Sequence, residues 1–177
     1  MSRRNDDDFV EFAEATRERL RRTAYLLCGD WHRASDITQE ALIRVYVAWP
    51  RLEKKGGLPA YARKAVVSVA VDQSRRRSST ELPSPPDDSR TSGHDLADAV
   101  SDRHSLMQAL ATLPDRQRAC VVLRYFEDLP VHDVAVALGI NDGTVKSQTS
   151  RALSTLRATM TGPDRDAFVV SSEGSRR

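Results

Sequence analysis

Residues 78–98 read SSTELPSPPDDSRTSGHDLAD, and this stretch constrains the fold more than any other. Prolines, serines and acids with almost no large apolar side chain cannot bury enough surface to offset the entropy of ordering the chain. The stretch predicts a flexible linker. On both sides of it apolar residues recur at threes and fours, the spacing of amphipathic helices. The chain of 177 residues therefore divides into a first helical domain over 1–78, a linker over 79–99, a second helical domain over 100–161 and a polar tail over 162–177. No segment alternates as a strand would, so the fold class is all-α with two small domains.

Net charge is only +2, but its distribution is uneven. Residues 1–80 carry 16 Lys and Arg against 11 Asp and Glu, a net of +5, while residues 81–100 carry one Arg against five acids. A basic folded part beside an acidic spacer suits a chain that meets a polyanion with its domains. Cys28 and Cys120 lie far apart on helical segments and make no disulfide framework, which points to a reducing cytoplasm. The opening MSRRNDDDFV is no signal peptide, and no apolar run is long enough to span a membrane.

The first helix is marked by Phe9, Phe12, Ala13, Thr16, Leu20, Ala24 and Leu27, and Gly29 ends it. A second helix is expected from Ser35 or Asp36, with Gln39 completing a capping-box-like start, to Trp49, stopping before Pro50. Ile37, Ala41, Val45 and Trp49 form its apolar stripe, while Asp36, Gln39, Glu40 and Arg44 lie elsewhere on its surface. Pro59 suits the first turn of a third helix running to about Ser74 and ending in Arg75-Arg76-Arg77. After the linker, Leu106, Leu110 and Leu113 make one apolar face, and Ala119, Val122, Leu123 and Phe126 point inward from the next helix.

The sharpest local signal is LPVHDVAVALGINDGTVKSQTSRALSTLR, from Leu129 to Arg157. A helix-turn-helix needs a small residue where its helices cross, and Ala135 stands there; four residues later Gly139 supplies the positive φ of the turn. Asn141 can cap the second helix, Val145 plugs the space between the helices, and Ile140, Ala152, Leu153 and Leu156 complete the buried face. The opposite face carries Thr144, Lys146, Ser147, Gln148, Ser150 and Arg151, side chains of the kinds that contact base edges and phosphates.

The first domain narrows the role. DITQEALIRVYVAW, Asp36 to Trp49, resembles the core-polymerase-binding helix of bacterial sigma factors, and LPAYARKAVVSVAVDQSRRR, Leu58 to Arg77, resembles the sigma segment that opens and reads the minus-ten element. With GTVKSQTSRAL in the second domain, the chain resembles an extracytoplasmic-function (ECF) sigma factor, the small class with regions two and four only, and its Arg-rich wording is similar to actinobacterial members. The resemblance implies a winged-helix-like second domain. It implies that Asp36, Gln39, Glu40 and Arg44 grip the coiled coil of the polymerase's largest subunit, and that the second domain meets the flap. It implies minus-ten contacts from Lys55, Tyr61, Arg63, Lys64, Asp72, Arg75, Arg76 and Arg77, with cations on phosphates and the tyrosine stacking on an unpaired base. It further implies minus-thirty-five contacts from Thr144, Lys146, Ser147, Gln148, Ser150 and Arg151, and an anti-sigma factor as a further partner. One departure is Ser68, where many members carry Asn four residues before the Asp that is here Asp72.

Other readings find less support. Asp87 and Asp88 lie in the linker without a supporting shell, so no catalytic site is expected. The four histidines are scattered, Cys28 and His32 have no partner pair for zinc, and no glycine loop cradles phosphate, so neither metal nor cofactor is implied. The competing class is a helix-turn-helix regulator that binds an operator without polymerase; such proteins carry a sensor or dimerisation helix, for which this chain has the Asp36–Trp49 helix instead.

Overall fold

The computed structural model describes residues 3–52, 57–78 and 97–160, and apart from short connections all of them are helical. The elements are α1 (Arg3–Cys28), α2 (Trp31–Leu52), α3 (Leu58–Ser78), α4 (Ala97–Ala111), α5 (Asp115–Val121), which continues as a π turn over Val122–Phe126, α6 (Val131–Leu138) and α7 (Asp142–Met160). No strand occurs among the described residues.

Helices α1, α2 and α3 form a bundle because each has one continuous apolar stripe. Leu20 and Ala24 from α1, Ile37, Ala41, Val45 and Trp49 from α2, and Ala62, Val66 and Val69 from α3 are all buried together. Phe9 and Phe12 close the open end around Trp49, with ring centroids 5.3 and 5.4 Å from it. Gly29 takes φ +75, the left-handed stop that ends α1.

Three expectations about the bundle's boundaries change. Helix α2 begins at Trp31, not at Ser35 or Asp36, because Asp30 caps it: its Oδ1 accepts the Arg33 amide at 2.7 Å. Ser35 instead donates its hydroxyl to the Trp31 carbonyl. The same helix runs through Pro50 to Leu52. Proline removes only the bond to the Tyr46 carbonyl, and Tyr46 lies on the open side, where solvent can take that oxygen. Helix α3 continues past Ser74, so the arginine run is helical and does not mark the end.

In the C-terminal half, Ala109, Leu110 and Leu113 of α4 and its following turn pack on Val121 and on Ala152 and Leu156 of α7. Leu106 does not join them: it lies on the rim of a groove, 41% exposed. Phe126 also departs from the inward position the periodicity assigns. The π turn, closed by the Glu127 amide on the Val122 carbonyl at 3.1 Å, inserts one residue into the helical repeat. Phe126 is thereby rotated outward and Glu127 inward.

The two halves share one core. Ala119, Val122, Leu123 and Val134 are continuous with the α1–α3 cluster. Around that apolar contact stand polar links. Arg118 donates to the Leu27 carbonyl at 2.8 Å, Ser74 to Asp115 at 2.5 Å, and Arg19 and Thr23 both donate to the Glu127 carboxylate.

Candidate nucleic-acid interface and partner-binding face

The helix-turn-helix is built from α6, the turn at Gly139 and α7. Gly139 has φ +64, and the following Ile140 amide returns to the Ala135 carbonyl at 3.0 Å, which closes the turn. A residue with a Cβ there would meet no atom within 4 Å, so the glycine is required by its backbone angle and not by space. Asn141 accepts the Thr144 amide at 2.7 Å and so caps α7. Ala135 and Val145 are buried between the helices, Ala152 and Leu156 are buried against α4 and α5, and Ile140 and Leu153 are half-buried. With α7 locked by those side chains, Lys146, Ser147, Ser150 and Arg151 face outward, and Thr144 and Gln148 are half-buried beside them. The helix N-terminus adds unpaired backbone amides to that face, which favours anions.

Helix α3 separates its candidates. Lys64, Asp72 and Arg75, together with Ser68, line one crevice of about 280 Å³, whose other wall is Arg116 and the residues around Gly139. Tyr61 is half-buried against the core and Arg63 is half-buried, while Arg76 is exposed. Ser68, the departure from the family pattern, accepts from Arg44 at 3.3 Å. Lys55 and the side chain of Arg77 lie outside the described residues.

Helix α2 also divides its four candidates. Asp36 and Gln39 are exposed. Glu40 and Arg44 pair with one another at 2.7 Å, and both reach α3: Arg44 to Ser68, Glu40 to Gln73 at 3.4 Å. The face beside Gln39 is apolar, which the polar candidates did not reveal. Ile43 is 56% and Val47 is 70% exposed. Ile43, with Tyr46, Phe9 and Val10, borders a groove of about 430 Å³ between α1 and α2. The signal that could have found them is the i, i+4 spacing of Ile43 and Val47, set off the buried stripe.

A second groove, about 370 Å³, runs between the halves, with Tyr25 and Trp31 on one side and Leu106, Tyr125 and Phe126 on the other. Tyr25 and Trp31 stack with centroids 4.0 Å apart, and the Arg21 guanidinium lies 4.7 Å over the Trp31 ring. Burial pushes the Cys120 thiol up to about 11 and raises that of Cys28, so both stay protonated at neutral pH. Burial lowers the Arg118 pKa, opposed by Asp115. Among the described residues no three His, Cys, Asp or Glu side chains come together as a metal site, and no helix is long and apolar enough to cross a membrane.

Comparison with known proteins bears on both halves. The model of Sigma-70 region 2 matches residues 12–80, and that of Sigma-70 region 4 matches residues 103–156. The chain is 35% identical over 175 residues to the RNA polymerase sigma-E factor of Streptomyces coelicolor, covering 96% of each chain. It is 34% identical over 148 residues to the ECF RNA polymerase sigma factor SigL of Mycobacterium tuberculosis, covering 80% of this chain and 82% of that one. In fold it resembles the Bartonella quintana sigma factor RpoE, solved in complex with the anti-sigma factor NepR, with TM-score 0.71 at 23% identity over 89% of this chain and 99% of that one. With both regions matched and relatives of 34–35% identity covered over 82–96% of their length, the chain belongs to the ECF sigma factors of RNA polymerase.

Proposed function

We propose a division of labour for a sigma factor that directs core RNA polymerase to promoters: the outer face of α2 docks on polymerase, α3 reads and opens the minus-ten element, and α7 reads the minus-thirty-five element. The observation that carries this reading is the α2 face, where Ile43 and Val47 stand exposed beside Gln39 and Asp36. An apolar centre with a polar rim is the composition of a protein interface, and a regulator that binds its operator alone has no use for one there. Glu40 and Arg44 support that face by fixing α2 to α3.

On the DNA side, Lys64, Arg75 and Arg76 supply phosphate contacts, Tyr61 a stacking surface, and Asp72 with Arg63 the remaining minus-ten contacts. Lys55, outside the described residues, and Arg77, whose side chain lies outside them, belong to the same set. Lys146 and Arg151 are the charged contacts of α7, with Thr144, Ser147, Gln148 and Ser150 as hydrogen-bonding partners. Dividing recognition between two weak modules makes promoter binding depend on the polymerase that fixes their spacing. The chain performs no catalysis of its own and works in the cytoplasm, with the polymerase flap meeting the C-terminal half and an anti-sigma factor as a further partner.

Reconstitution with core polymerase and a genomic promoter library tests this. A stable polymerase complex with initiation at discrete promoters is expected. Failure to form that complex, with tight binding of an operator by the protein alone, would replace this reading with the autonomous regulator.

A further inference from the structure

We infer that Gly143 is a positioning residue for the upstream promoter element, its bare backbone being the point where the DNA sugar-phosphate chain comes closest to α7. The inference rests on reading α7 as the minus-thirty-five helix.

Two glycines stand four residues apart in the helix-turn-helix, and the protein itself explains only one of them. Gly139 has φ +64, a backbone angle that disfavours any side chain. Gly143 has no positive φ: it is the second residue of α7 and is helical. Space is not short either. Chain neighbours and helix backbone aside, a Cβ there would meet only Oδ1 of Asn141, at 3.4 Å, an ordinary van der Waals distance. Glycine within a helix also loses more backbone entropy than alanine on folding, so alanine would hold this turn more firmly. Neither backbone angle nor packing calls for the residue. Its use then lies with whatever approaches α7 from outside.

The surroundings say what that is. Gly143 is exposed, and so are Lys146 and Ser147, three and four residues on and therefore beside it on the helix surface. Asn141 accepts the Thr144 amide with its side chain at 2.7 Å and the Val145 amide with its carbonyl at 3.1 Å. The Gly143 amide finds no acceptor among the described residues. The carboxylate of Asp142 lies 3.6 Å from His132 Nδ1, on the α6 side. Glycine has no side chain with which to read a base edge; it offers a donor amide and room around it. A phosphate oxygen uses both, with Lys146 supplying the charge. Such a contact fixes the depth and register of α7 in the major groove and is indifferent to base sequence.

The test sets stability against DNA binding. Gly143→Ala and Gly143→Gln are made in the full chain, both introducing good helix formers. The melting temperature of Gly143→Ala should rise by about 1–4 °C, and affinity for core polymerase should equal that of the unmodified protein. Each holoenzyme is then titrated on promoters recovered with the unmodified protein. Gly143→Ala should weaken these complexes at least about tenfold, as loss of a hydrogen bond to a charged group does, and Gly143→Gln should weaken them further. The loss should be equal across a randomised minus-thirty-five library. On the same promoters cut short of the upstream element and pre-melted at the minus-ten element, all three proteins should bind alike. A lowered melting temperature, unchanged affinity for the full promoters, or a loss concentrated at one base pair would overturn the inference while leaving α7 as the upstream reader. Unmodified holoenzyme that binds full and shortened promoters equally would overturn that reading, and the inference with it.

Discussion

Arg44 of α2 holds Glu40, one turn before it, at 2.7 Å through Nη2 and reaches Ser68 of α3 at 3.3 Å through Nη1. The pair thus serves the α2–α3 contact before any partner arrives. Both side chains are roughly two-fifths exposed, and pairs of that kind contribute only about 0.2–1 kcal/mol. Arg44→Ala should lower the stability of the free protein by less than about 1 kcal/mol in urea titration. Loss of several times that would mean the link to α3 carries more of the bundle than its exposure implies.

Ile43→Asp and Val47→Asp address the face those charges flank. Both residues are exposed, so the change should leave stability within about 0.5 kcal/mol of the unmodified chain. Affinity for core polymerase should fall by at least about tenfold, as expected where a buried apolar anchor is replaced by a charge. The comparison to make is direct binding of each variant and of Arg44→Ala to core polymerase at one salt concentration. If Arg44→Ala weakens binding more than either apolar substitution, the face has been assigned to the wrong residues.

How far the sequence could be read depended on whether a position's role was local. The turn at Gly139, the cap at Asn141 and the plug at Val145 answer demands set within a dozen residues, and each stands where its spacing places it. The Ile37–Trp49 stripe was legible for the same reason. Phe126 and Glu127 were not: a π turn has no composition of its own, and one inserted residue exchanged their inward and outward roles. Arg19 and Glu127 meet across 108 residues of chain, and no periodicity within either segment announces such a pair. The cap of α2 was misplaced because both Asp30 and Ser35 are good capping residues, and only the path of the chain after Gly29 decides between them.

The α7 cap is open to a stability measurement that does not involve DNA. Asn141→Ala removes the acceptor of the Thr144 amide and should cost about 1 kcal/mol. Gly139→Ala forces a Cβ into the left-handed region and should cost about 1–2 kcal/mol, although the Cβ itself meets open space. A melting temperature lowered by about 2–4 °C for each kcal/mol is the expected readout. An unchanged melting temperature for Gly139→Ala would show that the turn can relax to a negative φ.

Lys146 and Arg151 are both exposed on α7, but they need not do the same work. A lysine on a phosphate affects all sequences alike, whereas an arginine on a guanine edge affects some sequences much more than others. Lys146→Ala should weaken promoter complexes uniformly and reduce the salt slope of binding by about 1. Arg151→Ala should cost about 1–3 kcal/mol, concentrated at one position of the upstream element. Transcription from a randomised minus-thirty-five library separates the two patterns. A uniform loss for Arg151→Ala would reassign it to the backbone.

Cys120 carries a prediction in pH. The thiol is buried between the halves' shared core residues, and its pKa is raised from 9.0 to about 11 by burial alone. The folded state therefore disfavours the thiolate relative to the unfolded chain. Stability from this group is fully present below about pH 9 and is lost as pH rises towards 11. Cys120→Ala leaves a small cavity, with a fixed cost that does not titrate. The stability gap between the unmodified chain and Cys120→Ala should thus be constant from pH 7 to about 9 and then narrow by at most about 1.4 kcal/mol per pH unit. Urea midpoints of both proteins across that range give the comparison, and the many other groups that titrate there cancel in the difference. A gap that stays constant to about pH 10.5 would mean the thiol ionises as readily folded as unfolded, through an opening of the core around α5 that the structure does not show.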